Sequence, residues 1–202
     1  MGLTVYGQSG SRAFRALWMA EEVGVDFVHV PTRFADEAKT DDYLEINPNG
    51  RIPALDDDGF VVWESMAVNL YLAKKYGGDL GPKDLQEDAT ATQWSLWVMT
   101  EVEKTLLQAL FHTVGMMGVE KDPAKAAACL EELQPAFGVL NGQLNGTQYL
   151  MGGRFTVADL NVACVLSWSR MVGEDFSNWP DLAAWFGRCM DRDAVGRAQA
   201  RS

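Results

Sequence analysis

Pro53 limits what the stretch around it can build. In the run Asn47-Pro48-Asn49-Gly50-Arg51-Ile52-Pro53-Ala54-Leu55, two prolines and a glycine punctuate a loop that enters a short apolar strand. Proline has no N–H to give to a ladder, so Pro53 must stand at the start or the edge of that strand. If the Ile52-Pro53 bond is cis, Ile52 turns its N–H and C=O outward, where they can pair with an extended peptide. A second strand, Phe60-Val61-Val62-Trp63, follows a hairpin signal at Asp57-Asp58-Gly59 and gives way to Glu64-Ser65 as a helical pattern begins. A carboxylate and a hydroxyl then stand beside a helix N-terminus, a pair suited to a zwitterionic ligand: Glu64 for an ammonium, Ser65 and the helix amides for a carboxylate. The plainer alternative is a proline-edged hairpin that merely feeds a helix.

The strands belong to a larger order. Leu3 to Tyr6 is a short β-branched and aromatic run, and Phe14, Leu17 and Trp18 follow at helical spacing before a stop at Gly24. Phe27-Val28-His29-Val30 makes a second strand after a crossover of the right size for a parallel pair. Residues 53–63 then supply two antiparallel strands, and residues 66–76 a helix ended by Gly77-Gly78. This βαβ-ββα order is that of the thioredoxin fold. Past it the strand signals vanish. The chain reads as an α/β thioredoxin-like domain over residues 1–77, a polar linker over 78–87 and an all-α helical bundle over 88–202.

In the helical part, Leu130, Leu133, Phe137, Leu140 and Leu144 recur in steps of three and four, one amphipathic stripe on a helix that opens with Asp122-Pro123. Thr156-Val157-Ala158-Asp159 opens another helix with a shortened-acid capping box, Phe155 and Leu160 offering the staple.

Composition removes several function classes. A net charge of -11 argues against nucleic acid and anionic membrane surfaces, both of which reward clustered Lys and Arg. No long uncharged apolar run appears, and Met1-Gly2-Leu3-Thr4 lacks the basic start of a signal peptide, so a soluble, intracellular protein is expected. Met1-Gly2 is discounted as a myristoylation signal because position 6 is Tyr. Cys129, Cys164 and Cys189 are odd in number and far apart in helical patterns, as reduced core thiols would be, and no metal-ligand spacing exists. Within this acidic chain Arg12, Arg15, Lys39 and Arg51 fall near the proposed ligand segment, either as ordinary surface charge or as cations that offset repulsion of an anionic ligand.

The run at 47–55 and the stretch Glu64-Ser65-Met66-Ala67-Val68 resemble the glutathione-binding segment of the cytosolic glutathione S-transferase family, N-P-x-G-K/R-V/I-P-x-L followed by E-S-x-A-I. Ser11-Arg12-Ala13-Phe14-Arg15-Ala16-Leu17-Trp18 is similar to the S-R-x-x-R-x-L-W stretch of bacterial and fungal members, and the resemblance covers essentially the whole chain. It implies a cytoplasmic, dimeric transferase with a thioredoxin-like glutathione-binding domain and glutathione as co-substrate. By that matching Ile52, between Arg51 and Pro53, pairs with the cysteinyl backbone, while Glu64 and Ser65 hold the γ-glutamyl end.

The chemistry needs a thiolate, whereas a free thiol titrates near ~8.5. A hydroxyl donor at a helix N-terminus can lower that by about one or two units, ~1.4 kcal/mol each. The resemblance assigns this role to Ser11. Tyr6, at the end of the first strand, and Ser9, in the same turn, are the alternatives. Trp97, Phe111 and Met116, with Trp94, Met99, His112 and Met117, are candidates to line an apolar electrophile pocket, soft side chains that adapt to varied ligands; aromatics at helical spacing are also ordinary core. Two other functions share these residues: a non-catalytic glutathione or apolar-ligand binding protein, and a specialised glutathione-dependent dehalogenase, isomerase or peroxidase.

Overall fold

Two compact units make up the computed structural model, which describes residues 2–201: the first runs to Asp88 and resumes at Arg192, and the second is Ala89–Asp191. The first begins with β1 (Leu3–Tyr6), α1 (Ala13–Val23) and β2 (Phe27–Val30), a βαβ unit whose strands are parallel, Leu3 facing Phe27 and Tyr6 facing Val30. Gly24 ends α1 in the left-handed conformation, φ 65°. A 3-10 turn, Glu37–Lys39, and the short α2 (Asp41–Ile46) follow. Neither was expected, although Thr40 and the acidic pair Asp41 and Asp42 carry the signature: the Thr40 side chain accepts from the Tyr43 N–H at 3.4 Å.

Then come β3 (Ala54–Asp57), β4 (Phe60–Trp63) and α3 (Ser65–Tyr76), and the sheet order is β2-β1-β3-β4, with β3 antiparallel to both neighbours. The β3–β4 hairpin turns on Asp58 and Gly59 with φ 53° and 88°, both left-handed, as a two-residue loop matched to strand twist requires. The Asp57 side chain, 2% exposed, ties this hairpin to α3: it accepts from the hydroxyls of Tyr71 at 2.7 Å and Tyr76 at 3.0 Å and pairs with Lys75.

The expected helical domain of residues 88–202 ends earlier than the sequence indicates. From Arg192 onward the chain belongs to the first unit, where α11 (Asp193–Ala200) packs on α1. Glu21 and Glu22 crowd the C-terminal end of α1, where the helix dipole favours cations. The returning segment supplies them: Arg192 grips Glu22 at 2.6 and 2.7 Å, Arg197 reaches Glu21 at 2.8 Å, and Arg201 pairs with Glu21 while lying 4.0 Å over the Phe27 ring.

The second unit is helical throughout: most of α4 (Leu85–Val98), a π-helical segment Met99–Glu103, α5 (Lys104–Val114), α6 (Pro123–Glu132), α7 (Gln134–Leu144), α8 (Val157–Leu166), α9 (Ser169–Val172) and α10 (Pro180–Met190). The leucine stripe lies on two helices, not one. Pro135 has no N–H for the Glu131 carbonyl and its ring opposes that oxygen, so the helix stops at Leu133 and α7 restarts with proline in its first turn. Leu133, Phe137, Leu140 and Leu144 are nonetheless all buried, since the spacing carries across the break. Cys129 is half-buried, a departure from the expected core placement, while Cys164 and Cys189 are buried.

Asp159, on α8, centres the helical core. It returns the capping bond to the Thr156 N–H at 2.9 Å, takes the Leu150 N–H at 2.8 Å and holds the Trp185 indole of α10 at 2.9 Å. Burial pushes its pKa up, against those bonds.

Two outcomes follow for stability. Asp159→Ala takes the acceptor from four buried donors, the N–H groups of Leu150 and Thr156, the Thr156 hydroxyl and the Trp185 indole, each worth ~1–3 kcal/mol, so denaturant unfolding followed by tryptophan fluorescence is expected to show a loss of roughly 4 kcal/mol; a loss below about 1 kcal/mol would show that the network carries little. For Asp57, burial alone would raise the pKa, but Lys75, Tyr71 and Tyr76 outweigh it and hold the carboxyl below its ordinary value. A depressed carboxyl stabilises the fold above its unfolded pKa, near ~3.9, and that contribution disappears as pH falls through the folded value. Asp57→Asn is therefore expected to flatten the acid limb of a stability-against-pH curve below about pH 4, and an unchanged limb would contradict the assignment.

Candidate functional site

The site begins at Gly7, where β1 ends. Gly7 has φ 128°, a conformation only glycine adopts with ease, and a Cβ built there would meet the Ala13 side chain at 2.5 Å and Ile52 Cβ at 3.1 Å. Its N–H donates to Val30 O at 2.9 Å and its carbonyl lies 2.7 Å from His29 Nε2, so β2 fixes the peptide from the far side. Without a side chain at position 7, the start of α1 and the turn before Pro53 come together.

From Gly7 the chain turns through Gln8, Ser9, Gly10 and Ser11 into α1. Ser11 Oγ accepts from the Ala13 N–H at 3.1 Å and donates to Gln8 O at 2.7 Å. Its hydroxyl thus closes the helix entry from a position one residue before the N-cap, Arg12. Ser9 lies in the same turn, half-buried, with no hydrogen-bond partner for its hydroxyl among the described residues. Tyr6 is placed differently. Its ring meets Tyr43 edge-on at 6.0 Å and packs on the small core of Ala38, Tyr43, Ile52 and Ala54. Burial, and secondarily Asp56, raise its pKa, which makes the phenol a weaker donor.

The Ile52-Pro53 bond is cis. The loop before it is held by Asn47, whose carbonyl accepts from the Gly50 N–H at 2.8 Å and whose side-chain oxygen accepts from the Asn49 N–H at 3.1 Å. Asn47 Nδ2 donates to the Arg51 carbonyl at 2.7 Å, and the Tyr43 hydroxyl donates to the same oxygen at 2.8 Å. Burial first, then Tyr6, raise the Tyr43 pKa to about 12, so it stays a donor. Gly50, φ 56°, permits the loop to press against Ala38 O. Arg51 is therefore closed on its carbonyl side, while the N–H and C=O of Ile52 have no partner among the described residues. The Arg51 side chain is exposed. Nothing in the spacing singles out Tyr43, and Asn47 heads the 47–55 motif there without an anchoring role, although Asn followed by Pro is a loop-initiating pair.

At the other corner Glu64 sits between β4 and α3 with φ 75° and ψ 116°. A non-glycine residue in this region stores about 1–3 kcal/mol of strain, which clusters at functional sites. Its carboxylate is exposed and unpartnered among the described residues. Ser65 opens α3, is 5% exposed, and receives Arg15 Nη1 on its Oγ at 3.3 Å. Of the four neighbouring cations, Lys39 is committed to Gly50 O and lies 4.4 Å over the Phe34 ring, and Arg15 is buried.

The electrophile-pocket candidates fall in the second unit. Trp94 is buried and meets the half-buried Trp97 edge-on at 5.2 Å, one turn before the π-helical segment that holds Met99. Phe111 and His112 are half-buried in the last turn of α5; Met116 is 42% exposed and Met117 is 66% exposed in the loop beyond, with Met117 at φ 56°. Backbone bonds tie this loop down, Asp122 N–H donating to His112 O at 2.9 Å. Among the described residues no cluster of His, Cys, Asp and Glu could hold a metal, and no helix is long and apolar enough to cross a membrane.

Gly7→Ala tests the junction. Strain and overpacking each cost about 1–3 kcal/mol, so a combined loss on the order of 3 kcal/mol is expected in thermal or denaturant unfolding. A variant as stable as the parent would mean that the close approach is not required.

Residues 1–74 match the family described as glutathione S-transferase, N-terminal domain, and residues 97–193 that described as glutathione S-transferase, C-terminal domain. Glutathione S-transferase D6 of Drosophila melanogaster is 33% identical over 190 residues, covering 91% of this chain and 85% of the relative. Among solved structures, glutathione S-transferase-I bound with lactoylglutathione superposes with a TM-score of 0.89 at 28% identity, covering 99% of both chains. The theta-class enzyme of Xanthomonas axonopodis pv. citri, with glutathione bound, gives a TM-score of 0.85 at 29% identity, covering 100% of this chain and 98% of its own. With both halves matched by sequence and the whole chain by structure, this protein belongs to the glutathione S-transferase family.

Proposed function

We propose that the protein is a glutathione transferase that binds glutathione along the Ile52 edge and uses Ser11 to hold its sulfur as the thiolate. The observation that carries this reading is the junction at Gly7, which sets the Ser11 turn beside a peptide edge whose N–H and C=O are unpartnered among the described residues. Ile52 pairs with the cysteinyl backbone, Arg51 and Pro53 frame it, and Glu64 and Ser65 take the ammonium and carboxylate of the γ-glutamyl end. The family membership and relatives solved with glutathione or lactoylglutathione bound support the same ligand class.

Ser11 acts as a donor, not a nucleophile. With the Ala13 N–H on its oxygen, the hydroxyl is polarised, and turning its proton from Gln8 O to the sulfur leaves that bond intact. The bound thiol loses its proton to solvent. The thiolate attacks the electrophilic carbon, the C–S bond forms, and the displaced electron pair departs with the leaving group or settles on the electrophile. Holding the reactants together supplies proximity, and the hydroxyl with the α1 amides supplies anion stabilisation. Selection of the apolar electrophile falls to the helical domain, with Trp97, Phe111 and Met116 as its lining. The family resemblance supports a cytoplasmic homodimer.

The absorbance of bound thiolate, titrated against pH, tests the assignment. The wild-type pKa is expected about one to two units below the ~8.5 of a free thiol, and Ser11→Ala is expected to restore it while glutathione still binds, so that kcat/KM rises only at higher pH. Ser9→Ala and Tyr6→Phe should leave the pKa in place. A shift in either of those variants, with none in Ser11→Ala, would move the role to that residue. Binding without any lowering of the pKa would favour a ligand-binding protein.

A further inference from the structure

Arg15 is 1% exposed, yet its guanidinium always carries a charge. Burying such a group is costly unless its hydrogen bonds are used. It stands in the first turn of α1, four residues after Ser11, and its Nη1 donates to Ser65 Oγ at 3.3 Å. That direction matters. A hydroxyl that accepts from a fixed guanidinium must point its own proton elsewhere, and no protein acceptor for the Ser65 hydroxyl is found among the described residues. The first turn of α3 has no side-chain cap, so its amides face the same way as an unused donor set. Glu64, one residue earlier, supplies the opposite charge on an exposed, strained corner.

We propose that Arg15 is a positioning residue for the carboxylate end of the ligand: it holds Ser65 with its proton turned outward and sets a buried positive charge behind the N-terminus of α3, so that the α-carboxylate of the γ-glutamyl group is preferred there. This rests on the reading in which Glu64 and Ser65 receive that group. Arg15 touches Ser65 and acts through it. The planar fork matters as well as the charge, because a lysine's compact ammonium on a flexible stem does not fix the direction of its bond to the Ser65 oxygen.

The experiment compares two peptides, glutathione and 4-aminobutyryl-cysteinyl-glycine, which lacks only the α-carboxylate of the γ-glutamyl residue. Their kcat/KM values with one electrophile are measured for wild type, Arg15→Lys and Arg15→Gln, each checked for its melting transition; Arg15→Lys carries the test if Arg15→Gln does not fold. Wild type is expected to prefer glutathione strongly. In the variants that preference is expected to fall about tenfold or more, the size of one lost bond to a charged group, through KM rather than kcat and with the thiol pKa of bound glutathione unmoved. Equal losses on both peptides, or an unchanged preference, would overturn the role of Arg15 while leaving the site assignment standing. A wild-type protein indifferent to the carboxylate would instead remove the placement of the γ-glutamyl group on which the inference is built.

Discussion

The bare Cα of Gly7 is the constraint on which the rest of the site depends. β1 must end, α1 must begin and the chain before Pro53 must pass within the same small volume, and a Cβ at position 7 would fall 2.5 Å from Ala13 and 3.1 Å from Ile52. Bonds from Val30 and His29 stop the peptide from rotating away from that meeting point. A glycine with positive φ thus brings the start of α1 close to the Ile52 peptide, whose N–H and C=O have no partner among the described residues.

Around this point hydrogen bonds are distributed unevenly, and the unevenness makes the site. Arg51 O receives two side-chain donors, from Tyr43 and Asn47, while the Ile52 N–H and C=O have no partner among the described residues. Glu64 is held in a strained conformation with its carboxylate outward, while Ser65 beside it is buried and anchored from behind by Arg15. At Arg51 the carbonyl is satisfied internally, and the groups left over at Ile52, Glu64 and Ser65 have the donor and acceptor types that a zwitterionic peptide can satisfy. The Asp57 cluster and the arginine grip on Glu21 and Glu22 hold the hairpin and α1 in place behind that surface.

Much of this was legible where a short-range rule applies. Pro53 marks a strand start, Asp58-Gly59 a two-residue hairpin and Gly24 a helix stop, because each rule involves only a residue and its immediate neighbours. Thr156 and Asp159 cap α8 for the same reason, but the further reach of Asp159 to Leu150 and Trp185 is tertiary and leaves no local trace. The division of one leucine stripe into α6 and α7 was hidden because the apolar spacing runs through the break; Pro135 was the signal to weigh against it. The return of α11 to the first unit depends on Arg192 meeting a residue 170 positions away, beyond any pattern of spacing. Arg15 stands in the sequence as one of four nearby cations and as the second arginine of the S-R-x-x-R stretch, and its burial and its bond to Ser65 separate it from surface charge.

Amide hydrogen exchange at Ile52, measured with and without S-methylglutathione, addresses the peptide before β3 most directly. That N–H has no partner among the described residues and should exchange readily in the ligand-free protein. If the peptide adds to the edge as argued, its exchange slows by about tenfold or more when the ligand binds, the effect of one hydrogen bond worth ~1.4 kcal/mol. An Ile52 amide whose exchange is unchanged at saturating ligand would show that glutathione is recognised somewhere other than the edge that Pro53 creates.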